Sequence, residues 1–192
     1  MRVISGKAKG KKLKVPKLSR GRRIRPLTDQ AKEALFNILG IKVPDSYFLD
    51  LFAGTGAVGI EALSRGAKIA IFVELDKRAV SSIRENLAAT ELDSSAEVYS
   101  LEVLKAIKVL DSKGSKFDII FLGAPYGSPI LEKALEKLSG SGLVKDDALV
   151  VAEHRAKHEI SQNFGNLVRF RDSRYGDTVL SFYKLVAGVK KE

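Results

Sequence analysis

Asp50 is followed within nine residues by Gly54, Gly56 and Gly59, and Glu74 stands 20 residues beyond Gly54. A G-x-G-x-x-G run between a strand and a helix brings backbone N–H groups close to a ligand. An acid about 20 residues further on is placed to accept hydrogen bonds from ribose hydroxyls. Dinucleotides and S-adenosylmethionine (SAM) both carry an adenine ribose, so this pair alone does not choose between them. Asp50 does. A carboxylate just above the loop repels a pyrophosphate and attracts the ammonium group of SAM's methionine part. Thr55 is a small hydroxyl residue that lets the loop approach its ligand.

A second constellation follows an apolar run. Ile119 to Leu122 ends in Gly123-Ala124-Pro125-Tyr126, a turn carrying an aromatic ring on which a planar base can stack. Gly123 supplies no side-chain acceptor, and losing a positioned polar group from a reacting centre typically costs ~10²–10⁴ in rate. Asp118 cannot take its place, because five residues of strand separate them by roughly 16 Å. His154 and His158 stand at i and i+4 beside Glu153 and Glu159. They are the only two histidines and there is no cysteine, so no metal is assigned to them.

The rest of the chain must position these groups. "LTDQAKEALFNILG" reads as a helix with Thr28 or Asp29 as its N-cap and Gly40 as its stop. From there "YFLDLF", "KIAIFVEL", "AEVYS", "FDIIFLG" and "ALVVAEH" read as strands, with helical segments between them. "LVRFRDSRYG" and "TVLSFYKLV" close the chain as a hairpin turning at Gly176-Asp177. Alternating strands and helices specify an α/β fold with an open, mostly parallel sheet and helices on both faces. Ligands of such sheets bind at the carboxyl ends of the strands, near the point where strand order reverses. Asp50 to Gly56, Glu74 and Gly123 to Tyr126 all follow strand ends.

The net charge of +10 is unevenly placed. Eleven Lys or Arg residues and no acid lie between Arg2 and Arg25, leaving 33 − 11 = 22 basic against 23 acidic residues elsewhere. A solvated tail would account for the charge but not for the strand-like runs "RVISG" and "KKLKVP" on either side of "KAKG". A basic hairpin that binds nucleic-acid phosphates accounts for both. Arg2, Lys7, Lys9, Lys11, Lys12, Arg22, Arg23 and Arg25 are its candidate contacts. With 192 residues, 45% hydrophobic and 29% charged, one ordinary globular domain with a small appendage is expected. The absence of cysteine excludes disulfides and thiol catalysis, and no apolar run approaches the roughly 18 residues of a membrane helix. A cytoplasmic monomer without a membrane partner is the expectation.

These segments together resemble the RsmD-type enzymes, class I SAM-dependent methyltransferases that act on the N2 amino group of a guanine in small-subunit (16S) ribosomal RNA. The resemblance is carried by "RVISGKAKGKKL", "RPLTDQAKEALFNIL", "LDLFAGTGAVGIEALSRGA", "FVELD", "FDIIFLGAPY", Glu153-His154 and "YGDTVLSFY". It implies a Rossmann-like, seven-stranded, mostly parallel sheet with an antiparallel edge. Residues 1–26 would be a basic RNA-contacting hairpin and residues 27–192 the methyltransferase domain. It further implies that Asp50, Phe52, Ala53, Gly54, Thr55 and Gly56 contact the methionine part of SAM. Glu74 would hold the ribose and Leu75 the adenine, with S-adenosylhomocysteine as product.

Two departures stand out. The family's usual Asp or Asn after the third strand aligns with Ser100. Similar enzymes begin the base-binding tetrad with Asp or Asn, then Pro-Pro and an aromatic. Pro125 and Tyr126 match that pattern; Gly123 and Ala124 do not. The expected partner is small-subunit ribosomal RNA or the assembled small subunit, with a weakened homologue that binds SAM and RNA as the alternative. A DNA adenine methyltransferase is disfavoured, because no room is left for a separate DNA-recognition domain.

Overall fold

Apolar residues at consecutive positions mark strands covered on both faces, and the computed structural model, which describes residues 1–16 and 26–186, shows how each face is covered. Arg22, Arg23 and Arg25 lie outside the described residues. The elements are α1 (Asp29–Leu39), β1 (Tyr47–Leu51), α2 (Ala57–Ser64), β2 (Ile69–Glu74), α3 (Lys77–Thr90), β3 (Ala96–Ser100), α4 (Val103–Ser112) and β4 (Phe117–Leu122). They continue with α5 (Ile130–Ser139), β5 (Val144–Arg155), β6 (Asn163–Phe164), β7 (Leu167–Tyr175) and β8 (Thr178–Leu185).

One sheet runs in the order β3-β2-β1-β4-β5-β8-β7-β6. β3 through β5 are parallel, while β8, β7 and β6 add an antiparallel edge. The seven strands legible in the sequence are all present. The eighth, β6, is a two-residue pairing against the start of β7, too short to leave a periodic signal. Gly176 and Asp177 form the β7–β8 turn, with Tyr175 paired to Thr178 and Gly176 at φ +61°.

Side chains alternate between the two faces of a strand, and the core divides accordingly. Phe48, Phe72, Phe121, Val151 and Phe182 face α1, α2 and α3. Leu49, Ile71, Ile120, Val150 and Tyr183 face α4 and α5. Strand order reverses between β1 and β4, so Asp50 near the end of β1 and Gly123 just past β4 flank the switch point.

The N-terminal segment is not the two-stranded ladder that its sequence suggests. A single antiparallel bridge joins Arg2 to Lys12, supported by Val3 N–H to Lys11 O at 3.0 Å and Leu13 N–H to Met1 O at 3.1 Å. The reason is that its backbone donors are spent on α2 instead. Ile4 and Ser5 N–H donate to the two carboxylate oxygens of Glu61 at 2.8 and 3.0 Å, and Ala8 N–H to Ser64 Oγ at 2.9 Å. Gly6 comes so close that a Cβ there would lie 1.7 Å from Ser64 O, and its φ of +83° also favours glycine. Val3, Ala8 and Leu13 join the core beneath α1 to α3.

Glu61 is fully buried and is neutralised by Lys32 of α1, equally buried, at 3.2 Å and by Arg65 at 2.8 Å. Lys32 Nζ also donates to Arg2 O at 2.7 Å. A buried charge survives only when paired and hydrogen-bonded, and both conditions hold here. Thr28 caps α1, its hydroxyl accepting from Ala31 N–H. The helix buries Ala31, Lys32, Leu35, Phe36 and Leu39, and Lys32 turns inward to reach Glu61.

Candidate active site

The strand ends open into a cleft of about 1080 Å³. Small-molecule sites commonly span roughly 300–1,000 Å³, and this one lies at the upper end of that range. The sequence motifs fall at its two ends.

At one end, the residues after β1 form a tight loop. Phe52, Gly54 and Gly56 all have positive φ, +64°, +58° and +76°. Phe52 pays a steric cost for that conformation which the glycines do not. Glu74, at the end of β2, holds the loop. One carboxylate oxygen accepts Gly54 N–H at 2.8 Å, and the other accepts Leu75 N–H at 2.8 Å and Asp76 N–H at 2.9 Å. Gly59 lets α2 pack on the sheet, since a Cβ would lie 2.3 Å from the Phe72 ring.

Asp50 sits beneath the loop, 1% exposed, and accepts Gly59 N–H at 3.0 Å. Burial pushes its carboxyl up to about 7, against the bond from Gly59 and with help from the charges of Glu74 and Glu153. Three acids therefore converge on one cleft wall. Asp50, Glu74 and Glu153 share strand-face parity with Phe48, Phe72 and Val151, which places them all on the α1-to-α3 side.

Leu75, 63% exposed, lines the cleft together with Asp50, Phe52, Ala53, Gly54, Thr55 and Glu74. Gly56 lies just behind the lining, where it begins α2. Ser100, the last residue of β3, lies outside the lining. The next two residues, Leu101 and Glu102, lie within it. Glu102 is the acid at this rim, and its carboxylate also caps α4 through Lys105 N–H at 3.0 Å.

At the other end, Gly123, Ala124, Pro125 and Tyr126 all line the cleft. The Tyr126 hydroxyl donates to Glu153 at 2.7 Å and lies 3.2 Å from the Thr178 hydroxyl. The Arg155 guanidinium sits over the Tyr126 ring, 5.2 Å from its centroid. Glu153 and Arg155 are cleft residues that motif reasoning did not assign. The signal was present: "VVAEHR" is an apolar run whose polar end reaches the same rim as "IIFLGAPY". Asp118 lies at the far end of β4, bonded to Tyr47 N–H and Lys145.

The two histidines have structural partners. His154 Nε2 lies 2.8 Å from Ser181 Oγ, whose hydroxyl donates to Asp172 at 2.6 Å, and burial lowers the His154 pKa. His158 Nε2 lies 3.2 Å from Glu132. Among the described residues, no three acids or histidines cluster as metal ligands, and no helix is long and apolar enough to cross a membrane.

Arg2, Lys7, Lys9, Lys11 and Lys12 are exposed on the N-terminal segment. That segment is tied to the cleft. Asn86 of α3 donates to Thr55 O at 3.0 Å and to Lys14 O at 3.1 Å, and accepts Lys14 N–H at 2.8 Å. Pro26 and Leu27, where the chain is described again, line the cleft.

With this geometry in place, the comparisons with other proteins are specific. The family model described as "Conserved hypothetical protein 95" matches residues 1–184. A Bacillus subtilis (strain 168) protein named "Putative rRNA methyltransferase YlbH" is 39% identical, covering 96% of this chain and 98% of its own length. The "Ribosomal RNA small subunit methyltransferase D" of Escherichia coli (strain K12) is 33% identical, covering 96% and 89%. The solved structure titled "Putative methyltransferase yhhF from Escherichia coli" superposes with a TM-score of 0.82 at 31% identity, covering 96% of this chain and 97% of that one.

Proposed function

The chain belongs to the conserved hypothetical protein 95 family, the RsmD-type methyltransferases, and on that premise we propose that it methylates the N2 amino group of a guanine in small-subunit ribosomal RNA, using SAM. The observation that carries the cofactor assignment is the buried Asp50 carboxyl, raised to about 7 among two further acids. A cation in the cleft relieves that accumulation of like charge, whereas a pyrophosphate worsens it. The residues present thus fit SAM, whose sulfonium and ammonium are both positive.

Asp50 and the loop from Phe52 to Gly56 hold the methionine part. Glu74 takes the ribose hydroxyls while keeping its hold on the loop, and the exposed Leu75 covers the adenine. Glu102, rather than Ser100, supplies the acid at the adenine rim. When bound, SAM supplies a methyl group on a positively charged sulfur, and that sulfur keeps the bonding electron pair as S-adenosylhomocysteine forms.

Tyr126 stacks on the target base, which must leave its helix to enter the cleft. Its ring is held for this by the hydrogen bond to Glu153. Residues Arg2, Lys7, Lys9, Lys11 and Lys12 hold RNA phosphates beside the cleft, and Arg22, Arg23 and Arg25 add to the positive charge that RNA meets. Asn86 makes that segment and the cofactor loop one rigid unit. The substrate is the RNA itself or the assembled small subunit, and the protein acts as a cytoplasmic monomer.

A second reading, a homologue that binds SAM and ribosomal RNA with little turnover, is favoured by one observation, the missing side-chain acceptor at Gly123. Labelled SAM incubated with small subunits that lack the modification separates the two. Label recovered as N2-methylguanosine is the expected result. Label on another atom would overturn the guanine assignment, and tight SAM binding without transfer would establish the second reading.

A further inference from the structure

We propose that Glu153 replaces the acceptor missing at Gly123: its Oε2 accepts a hydrogen of the guanine amino group and receives the proton released when the methyl group is transferred. The proposal rests on the guanine-N2 reading above.

Three observations place Glu153 for this role. First, register: the β4–β5 ladder pairs Phe121 with Val151 and Leu122 with Ala152, so the next step sets Glu153 beside Gly123. Both positions follow the parity of Phe121 and Val151 and so face the same side of the sheet. Second, distance: a Cβ on Gly123 would lie 3.5 Å from Glu153 Oε2. An aspartate oxygen would stand roughly 2.4 Å from that Cβ by ordinary bond lengths. The Glu153 oxygen is therefore within about an ångström of the shell such a side chain would fill. Third, constraint: Glu153 is 7% exposed, and its other oxygen, Oε1, accepts the Tyr126 hydroxyl at 2.7 Å. One bond thus locks the aromatic and the acid together.

The glycine is part of the same arrangement. A Cβ at position 123 would also lie 3.1 Å from the Phe121 ring, closer than packing readily allows. Without it, the ring and the Glu153 carboxylate both fit against the turn. Asp50 is already assigned above to the methionine part of SAM, with Gly59 N–H on its carboxylate beneath the cofactor loop.

The chemistry needs such a group. The guanine amino lone pair is delocalised into the ring, so hydrogen bonding to a carboxylate raises its electron density. As N2 bonds to the methyl carbon it uses that lone pair and becomes cationic. One N–H bond then breaks, its electron pair returns to nitrogen, and the proton passes to Glu153 Oε2 and from there to water.

Glu153→Gln keeps the shape and the Tyr126 bond while removing the charge. The first readout is binding. With S-adenosylhomocysteine present, guanosine 5′-monophosphate and inosine 5′-monophosphate, which lacks the amino group, are titrated by NMR. Wild type should prefer the guanosine form by about five-fold or more, as expected for a charged hydrogen bond, and the variant should show almost no preference. Equal wild-type affinity for both nucleotides overturns the proposal without needing any variant to fold.

The second readout is the single-turnover methylation rate at saturating SAM, which should fall about 10²-fold in Glu153→Gln. Adding Gly123→Asp to that variant should recover at least about ten-fold, while Gly123→Asp alone, with two carboxylates crowded together, should not exceed wild type. A Glu153→Gln rate within about three-fold of wild type sinks the proposal alone. Absence of N2-methylguanosine from the wild-type reaction sinks the guanine reading and the proposal together.

Discussion

The two ends of the cleft handle negative charge in opposite ways. At the cofactor end, each carboxylate is held by neighbouring backbone N–H groups: Asp50 by Gly59, and Glu74 by Gly54, Leu75 and Asp76. At the base end, the turn Gly123 to Tyr126 brings no acid, and the carboxylate comes from the adjacent strand through Glu153, held by the Tyr126 side chain. Backbone-held acids are pre-organised by the fold wherever the loop forms. A side-chain-held acid is positioned by its neighbours' side chains and tolerates change in the turn backbone itself. On the proposal above, this difference lets the cleft keep its charge although the turn begins with Gly123.

The sharpest way to break the comparison is at Asp50. Asp50→Asn retains an acceptor for Gly59 N–H but removes the charge, so SAM binding measured by calorimetry should weaken about 10–100-fold, the worth of a charge-assisted bond. The ligand-free variant should melt higher than wild type at pH 8, because wild type must then bury an ionised Asp50. SAM affinity unchanged by the substitution would show that Asp50 takes no part in holding the cofactor.

Titration sharpens the same point with a smaller effect. The Asp50 carboxyl rises from 3.8 to about 7 on folding, so the folded, ligand-free protein holds that proton more tightly than the unfolded chain. Its stabilisation is full below pH 3.8 and is lost as pH rises through about 7. Binding runs the other way, since a cationic ligand favours the carboxylate. SAM affinity should therefore climb by up to about ten-fold per pH unit below 7 and level off above it, a slope that Asp50→Asn abolishes. A flat profile in wild type would show that Asp50 does not meet the cation.

The smallest effect belongs to the base end. Tyr126→Phe keeps the ring but frees Glu153 from its anchor, and Thr178 loses the same hydroxyl. Methylation should slow about three- to ten-fold, the worth of one hydrogen bond, with SAM affinity unaltered. A larger loss in SAM binding than in turnover would mean the two ends are not separable.

The element order, the parallel sheet and the glycine loop after β1 were legible because they are local. Gly54 and Gly56 mark a turn before a helix, and the "KIAIFVEL" run marks a strand covered on both faces. The burial of Lys32 was not legible, because only the arrival of Glu61 from α2 makes it tolerable. The N-terminal runs do meet antiparallel at Arg2 and Lys12, but what lies between them depends on α2, where Glu61 and Ser64 take the N–H groups of Ile4, Ser5 and Ala8.

What the chain determined by itself was everything carried by spacing along it: the strand ends, the glycine loop, the acid 20 residues on and the Pro-aromatic turn. What only the tertiary structure decided was which acid stands beside Gly123. Glu153 is 30 residues away in sequence, and it reaches the turn because β4 and β5 pair in a register that sets both on one face. Strand register is a property of two segments packed together, and neither segment contains it alone.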